Sequence, residues 1–119
     1  ILFEMQSQVI LELAQMGPCI IVGRCADAVL RSAGIPAVSL FICAPFEDRV
    51  KRRMEIEGIG QKEAEAAVRK IDKQRKKYYD TYTGQNWGAP ENYDFCINSS
   101  VMGIEGTAEQ IITWARGTW

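Results

Sequence analysis

The sequence predicts an α/β fold in which a parallel sheet is flanked by helices. Three observations carry that expectation. The runs 19–22 and 37–43 are apolar almost throughout, as strands are when both faces of a parallel sheet are covered. Helical periodicity precedes, separates and follows them. A third strand-like run, 93–97, again leads into a helix. The order is therefore helix, strand, helix, strand, helix, helix, strand, helix. Such alternation implies right-handed crossovers between parallel strands.

The first helix is expected from the start of the chain to about Met16, on Leu2, Met5, Val9, Leu13 and Met16 at spacings of three and four. Gly17 and Pro18 stop it. The 19–22 strand leaves through Gly23, Arg24, Cys25, Ala26 and Asp27. A short helix around Ala28, Val29 and Leu30 follows and stops at Gly34. After the 37–43 strand, Pro45 falls at or beside the first turn of a helix, with Glu47 and Asp48 suited to its positive end. Phe46, Val50 and Met54, spaced by four, form the buried stripe of that helix, and Gly58 ends it. A long helix over 61–82 packs through Ala64, Ala67, Val68, Ile71 and Tyr78, with Glu65–Arg69 and Asp72–Lys76 as supporting pairs. A loop over 83–92, with Gly84, Gly88 and Pro90, leads to the 93–97 strand. Thr107 opens the last helix, and Gln110 completes a capping-box pattern.

The chain of 119 residues fits one domain, and 47% apolar with 24% charged residues is an ordinary globular composition. A net charge of −1 argues against a dedicated DNA-binding protein. No apolar run has the length of a membrane span, and no signal peptide opens the chain. The chain starts at Ile1, already within a helical pattern and without a capping residue, which reads as a truncated or incompletely recorded chain. Cys19, Cys25, Cys43 and Cys96 form no C-x-x-C pair, and there is no histidine. A structural zinc would then need all four thiolates. Three of them fall in predicted strands, so free buried thiols in a reducing compartment, the cytoplasm, are expected instead. The absence of histidine removes Ser–His and Cys–His catalysis.

Charge is unevenly distributed. Eleven of the fourteen basic residues lie between Arg49 and Lys77. In open α/β sheets, ligands bind outside the carboxyl ends of the strands, and Arg24 follows the first predicted strand. A guanidinium there can form two parallel bonds to a phosphate, with Asp27 near enough to accept from a ribose hydroxyl or a base amine. An Asp27 helix cap and an Arg24 paired with a neighbouring carboxylate explain the same residues equally well. Arg49 and Arg53 begin just past a strand end, one turn apart on one flank of their helix, and can grip one polyphosphate. Lys51 and Arg52 read as a solvated face. On the long helix, Lys70, Lys73, Arg75 and Lys77 remain after the helix pairs are set aside. They suit a mobile lid over phosphates or a surface that tracks nucleic acid, with Tyr78, Tyr79, Tyr82 and Trp87 for stacking. The expected role of Tyr78 and Trp87 is to anchor the helix. No G-x-x-x-x-G-K-[ST] occurs.

Together these residues resemble the cytidylate kinase-like family of P-loop nucleoside monophosphate kinases. The matching segments are IIVGRCAD at 20–27, VSLFICAPFEDRVKRRM at 38–54, KIDKQRKKYYDTYTGQNWG at 70–88, NYDFCINSS at 92–100 and GIEGTAEQI at 103–111. The resemblance implies one partial kinase-like α/β domain over 1–119, with a lid-like helical segment at about 58–90, lacking the N-terminal P-loop strand. It implies transfer of the γ-phosphoryl group of ATP, with Mg2+, to a nucleotide. Arg24 and Asp27 then look like acceptor contacts, and Arg49 and Arg53 like residues at the lid hinge and donor phosphates. Asp72 and Arg75 look like lid residues, with Lys70 and Lys73 as weaker lid candidates; no residue is assigned to a metal. Two departures stand out: the P-loop is missing, and Cys25 occupies the place of an aspartate after the Gly-Arg pair, which bears on cytosine specificity. The fragment is accordingly expected to be inactive alone and to form a homo-oligomer or strand-exchanged dimer. The alternative is a nucleic-acid-binding module using the basic helix over 61–82.

Overall fold

A computed structural model describes residues 2–118. Among them the fold is mixed α/β, with five α-helices and a two-stranded parallel sheet. Helix α1 is Leu2–Met16, α2 is Ala26–Ser32, strand β1 is Leu40–Cys43, α3 is Phe46–Glu57 and α4 is Gln61–Thr83. A 3-10 turn at Pro90–Asn92, strand β2 at Phe95–Asn98 and α5 at Ser99–Thr118 complete the order. Ile1, where the first helix is predicted to start, lies outside the described residues. None of these helices is long and apolar enough to cross a membrane.

The chain divides into two compact units. The first comprises Ile1–Ser39 with Lys73–Asp94, and the second Leu40–Asp72 with Phe95–Trp119. In the first unit the core is Ile10, Ala26 and Leu30, with Leu11, Ala14, Ile21, Val29 and Ile35 against it. In the second it is Val50, Ala64 and Val68, with Phe46, Met54 and Ile59. The 0% exposure of Ala64 shows how tightly α3 and α4 approach; a methyl is what that crossing admits. Pro45 precedes α3, Glu47 and Asp48 lie in its first turn, and Gly58 caps its end at φ 65° with its N–H on Met54 O. The predicted Phe46–Val50–Met54 stripe is thus the packed face of α3.

The sheet pairs Leu40 with Phe95, Phe41 with Cys96, Ile42 with Ile97 and Cys43 with Asn98. Both strands begin later than the sequence suggests. Ahead of them Ser39 N–H donates to Asp94 Oδ2 at 2.8 Å and Asp94 N–H to Ser39 O at 2.9 Å. One backbone bond and one side-chain bond thus tie Ser39 to Asp94 just ahead of the ladder.

Five expectations are corrected. Residues 19–22 are not a strand: Ile20 is 94% and Val22 87% exposed, because no other described strand pairs with them and an apolar run without a ladder partner has no reason to be extended. The stripe of Leu2, Met5, Val9, Leu13 and Met16 is exposed, and α1 instead turns Ile10 inward with Leu11 and Ala14, while Phe3 meets Tyr82. All four thiols are free, yet only Cys25 is buried. The last helix starts before Thr107: Asn98 Oδ1 accepts from Ser100 N–H as its cap, Gly103 at φ 75° breaks the helix near its start, and buried Thr107 donates back to Gly103 O at 2.6 Å. Finally, Asp72 and Arg69 do not form the predicted helix pairs. Asp72 binds Arg49, Arg69 lies over the Phe46 ring at 4.8 Å, and Lys76 donates to Asp80.

Candidate functional site

The candidate residues fall into two clusters, one in each unit. The first is built on the turn between α1 and α2. Gly23, Arg24 and Cys25 adopt φ of 70°, 59° and 57° in succession. Only the glycine is at ease there; a left-handed non-glycine residue costs about 1–2 kcal/mol. The turn is held by Ala26 N–H on Gly23 O, by Val29 N–H on Cys25 O and by burial of Cys25. Its result is an exposed Arg24 at the edge of a shallow cleft of about 280 Å3, walled by Met5, Gln6, Val9 and Ile10. Gln6 is oriented by Tyr78, whose hydroxyl donates to its Oε1 at 2.6 Å. The Gln6 carbonyl is thereby engaged.

Asp27 sits in the first turn of α2 but caps nothing; Cys25 stands at the cap position without a side-chain bond. The Asp27 carboxylate, 14% exposed, accepts from the Tyr79 hydroxyl at 2.8 Å and lies 3.9 Å from Arg31. Arg31 in turn donates to Asn92 O at 2.9 Å, and Asn92 Nδ2 to Asn86 O at 2.7 Å. Burial raises the Tyr79 hydroxyl above its ordinary value, and the bond to Asp27 adds to the effect. Burial, with Asp27 nearby, pushes the Cys25 thiol up to about 11. Asp27 therefore belongs to a closed network that ties α2 to the end of α4 and the 84–94 loop. Sequence reasoning missed Tyr79, Gln85 and Asn92 as its partners. Helical phase carried the only signal: Tyr79 shares the face of Ala64 and Val68 on α4.

The second cluster lies past the end of β1. Arg49 donates through Nε to Ala44 O at 3.1 Å and through Nη1 to both Asp72 oxygens at 2.8 and 2.7 Å. Its guanidinium stands 5.9 Å from the Phe46 ring centroid. Arg53 donates to Glu57 at 2.6 Å along the same helix. Lys70, Lys73 and Arg75 are exposed and form no ion pair among the described residues. The structure thus brings Arg49 to Asp72, while Arg53 is paired separately with Glu57. Among the aromatics considered for base stacking, Tyr82 stacks on Phe3 at 4.5 Å and Tyr78 meets the same ring edge-on. They anchor α4 to α1, as expected of Tyr78. No group of three His, Cys, Asp or Glu side chains converges among the described residues.

The model of the cytidylate kinase-like family matches residues 1–101. The crystal structure of an uncharacterized protein from Eubacterium ventriosum matches with a TM-score of 0.88 at 32% identity, over 97% of this chain and 65% of that one. The chain therefore spans 65% of the length of that relative. No curated protein matches.

Proposed function

The chain belongs to the cytidylate kinase-like family, and from that premise we propose that it carries the acceptor and lid residues of a nucleoside monophosphate kinase with a P-loop kinase fold. In that reaction an oxygen of the acceptor 5′-phosphate bonds to the γ-phosphorus of ATP while the bond to the β,γ-bridging oxygen breaks. ADP and a nucleoside diphosphate result. Such chemistry asks little of the protein beyond positioning and charge stabilisation. Mg2+ would be carried largely by the nucleotide phosphates, as is usual for this ion.

The observation that carries the reading is the family match over residues 1–101. The strained turn that projects Arg24 onto a cleft supports it, because such strain is retained where a side chain must be presented. Arg24 takes the acceptor phosphate. Arg49 and Arg53 contact donor phosphates, and Arg75, with Lys70 and Lys73, supplies positive charge as a lid. Because the 119 residues contain no G-x-x-x-x-G-K-[ST], the chain by itself binds the acceptor without turning it over.

Calorimetric titration with CMP, UMP and AMP tests this. One of the three should bind, and Arg24→Ala should weaken it about tenfold or more, the loss of a charge-assisted phosphate contact. No binding of any of them, or binding indifferent to Arg24→Ala, would sink the acceptor assignment. Retardation of single-stranded RNA that fades steeply with salt would point instead to the basic helix.

A further inference from the structure

We infer that Asp72 is a positioning residue: with the Ala44 carbonyl it fixes the Arg49 guanidinium in one pose and aims the uncommitted edge at an oligophosphate. The inference rests on the kinase reading, in which Arg49 contacts donor phosphates. It changes the part given to Asp72, from a lid group that closes over the transferring phosphoryl to one that acts through Arg49.

A guanidinium carries five N–H donors in one rigid plane. In Arg49, Nε is committed to Ala44 O and Nη1 to the two oxygens of Asp72. Nη2 donates to none of the described residues. Two fixed nitrogens of a planar fork fix the third, so the direction of Nη2 is set before any ligand arrives. The place is also informative. Ala44 immediately follows β1, and ligands of α/β sheets bind outside the carboxyl ends of strands. Asp72 is carried there by the core: it follows Val68 by one turn on the face of α4 that packs Ala64 and Val68 against Val50.

Stability gives no adequate reason for the pair. The two side chains are 35% and 30% exposed, and ion pairs this open to water add little to folding. Order is the larger consequence. A free arginine must lose its rotamers when it binds an anion; Arg49 has lost them already. The orientation is also one that leaves donors over, since Asp72 engages a single nitrogen rather than the Nη1–Nη2 fork that a phosphate prefers.

The test is calorimetric titration of the 119-residue chain with inorganic pyrophosphate, for the wild type and for Arg49→Ala, Asp72→Ala and Asp72→Asn. Asparagine keeps an oxygen acceptor for Nη1 and removes the charge. The wild type binds and Arg49→Ala does not. Asp72→Ala weakens binding about tenfold, the order of effect of freeing one flexible side chain, whereas Asp72→Asn stays within about threefold of wild type. Tighter binding by both Asp72 variants would show that the carboxylate competes with phosphate, and overturns the inference. Equal weakening by both would make the charge, not the aim, what matters, and overturns it too. In either case the kinase reading survives, because binding still depends on Arg49. Absence of binding by every protein, wild type included, overturns the inference, while the acceptor reading still stands or falls on the CMP, UMP and AMP titrations. Should Asp72→Ala fail to fold by circular dichroism, the wild type alone decides through the Arg49 guanidinium resonances. Separate Nη1 and Nη2 signals before pyrophosphate is added show a held group; a single averaged signal overturns the inference.

Discussion

The cluster around Asp27 and the cluster around Arg49 use similar residues to opposite ends. Asp27 is nearly enclosed and its carboxylate is taken up by Tyr79 and Arg31, and Arg31 also donates to Gln85 and Asn92. Arg49 is half-exposed, held from two sides, and keeps one nitrogen uncommitted. A closed network spends its polar capacity on ordering the chain. An open one retains capacity for a ligand. Of the two clusters, the second has the physical form of recognition. In the first, only Arg24, carried outward by its left-handed turn, does.

The largest effect expected from this contrast concerns Cys25, which sits inside the closed cluster. With its thiol pushed up to about 11 from an ordinary 9.0, it holds on the order of a hundredfold less thiolate at neutral pH than an exposed cysteine. Cys19, Cys43 and Cys96 are exposed. Alkylation at pH 8 followed by mass spectrometry should therefore show three fast additions and a fourth about a hundredfold slower; four additions at one rate would open the cluster and end the comparison. The same shift predicts a pH dependence. Below pH 9 both folded and unfolded chains keep the proton and stability is full. Between pH 9 and about 11 the unfolded chain loses its proton first, so stability falls as pH rises. The raised Tyr79 acts in the same sense from pH 10 upward. Cys25→Ala should flatten the fall that starts near pH 9, read from urea midpoints.

Tyr79→Phe comes next. It removes the hydroxyl that donates to Asp27 and leaves a nearly enclosed carboxylate short of a donor, at a cost of about 2 kcal/mol. The urea midpoint should fall while the slope of the transition stays unchanged. A change under about 0.5 kcal/mol would mean that water replaces the phenol freely, and the cluster would then be open after all.

Helix α3 was legible almost in full, because its buried stripe, the acidic first turn and the glycine stop are all local. The 61–82 prediction differs from α4 by a single residue at its end for the same reason. What lay beyond reach depends on distant partners. The run 19–22 has strand composition, but composition does not supply a neighbouring strand. The apolar stripe of α1 has the right period and the wrong phase: which side turns inward is decided by Ala26 and Leu30 of α2 and by Tyr82, not by the helix itself. In the clusters, the residue types were legible and the pairings were not. Asp27 meets Tyr79 across 52 residues and Arg49 meets Asp72 across 23. One clue to the latter was present: Asp72 stands one turn beyond Val68 on the packed face, an odd place for a carboxylate without a partner.

The smallest effect makes the sharpest test of the open cluster. Arg53 and Glu57 pair at 2.6 Å along α3. An exposed pair of this kind contributes about 0.3–0.5 kcal/mol, and less with the arginine placed N-terminal to the acid. Glu57 is also the last residue of α3, where the negative end of the helix dipole disfavours a carboxylate. The two terms oppose each other, so Glu57→Gln should move stability by no more than about 0.3 kcal/mol in either direction. Its effect on binding should nevertheless be positive. Neutralising Glu57 leaves the Arg53 charge uncompensated, and pyrophosphate affinity should rise about twofold, an advantage that added salt erases. Loss of the Asp72 carboxylate to alanine should weaken the same binding, although each substitution removes one negative charge near the same anion. Opposite signs from two equal changes of charge would separate a residue that aims its arginine from one that merely neutralises it. If both substitutions tighten binding alike, electrostatics alone governs the cluster and Arg49 is no better placed than Arg53.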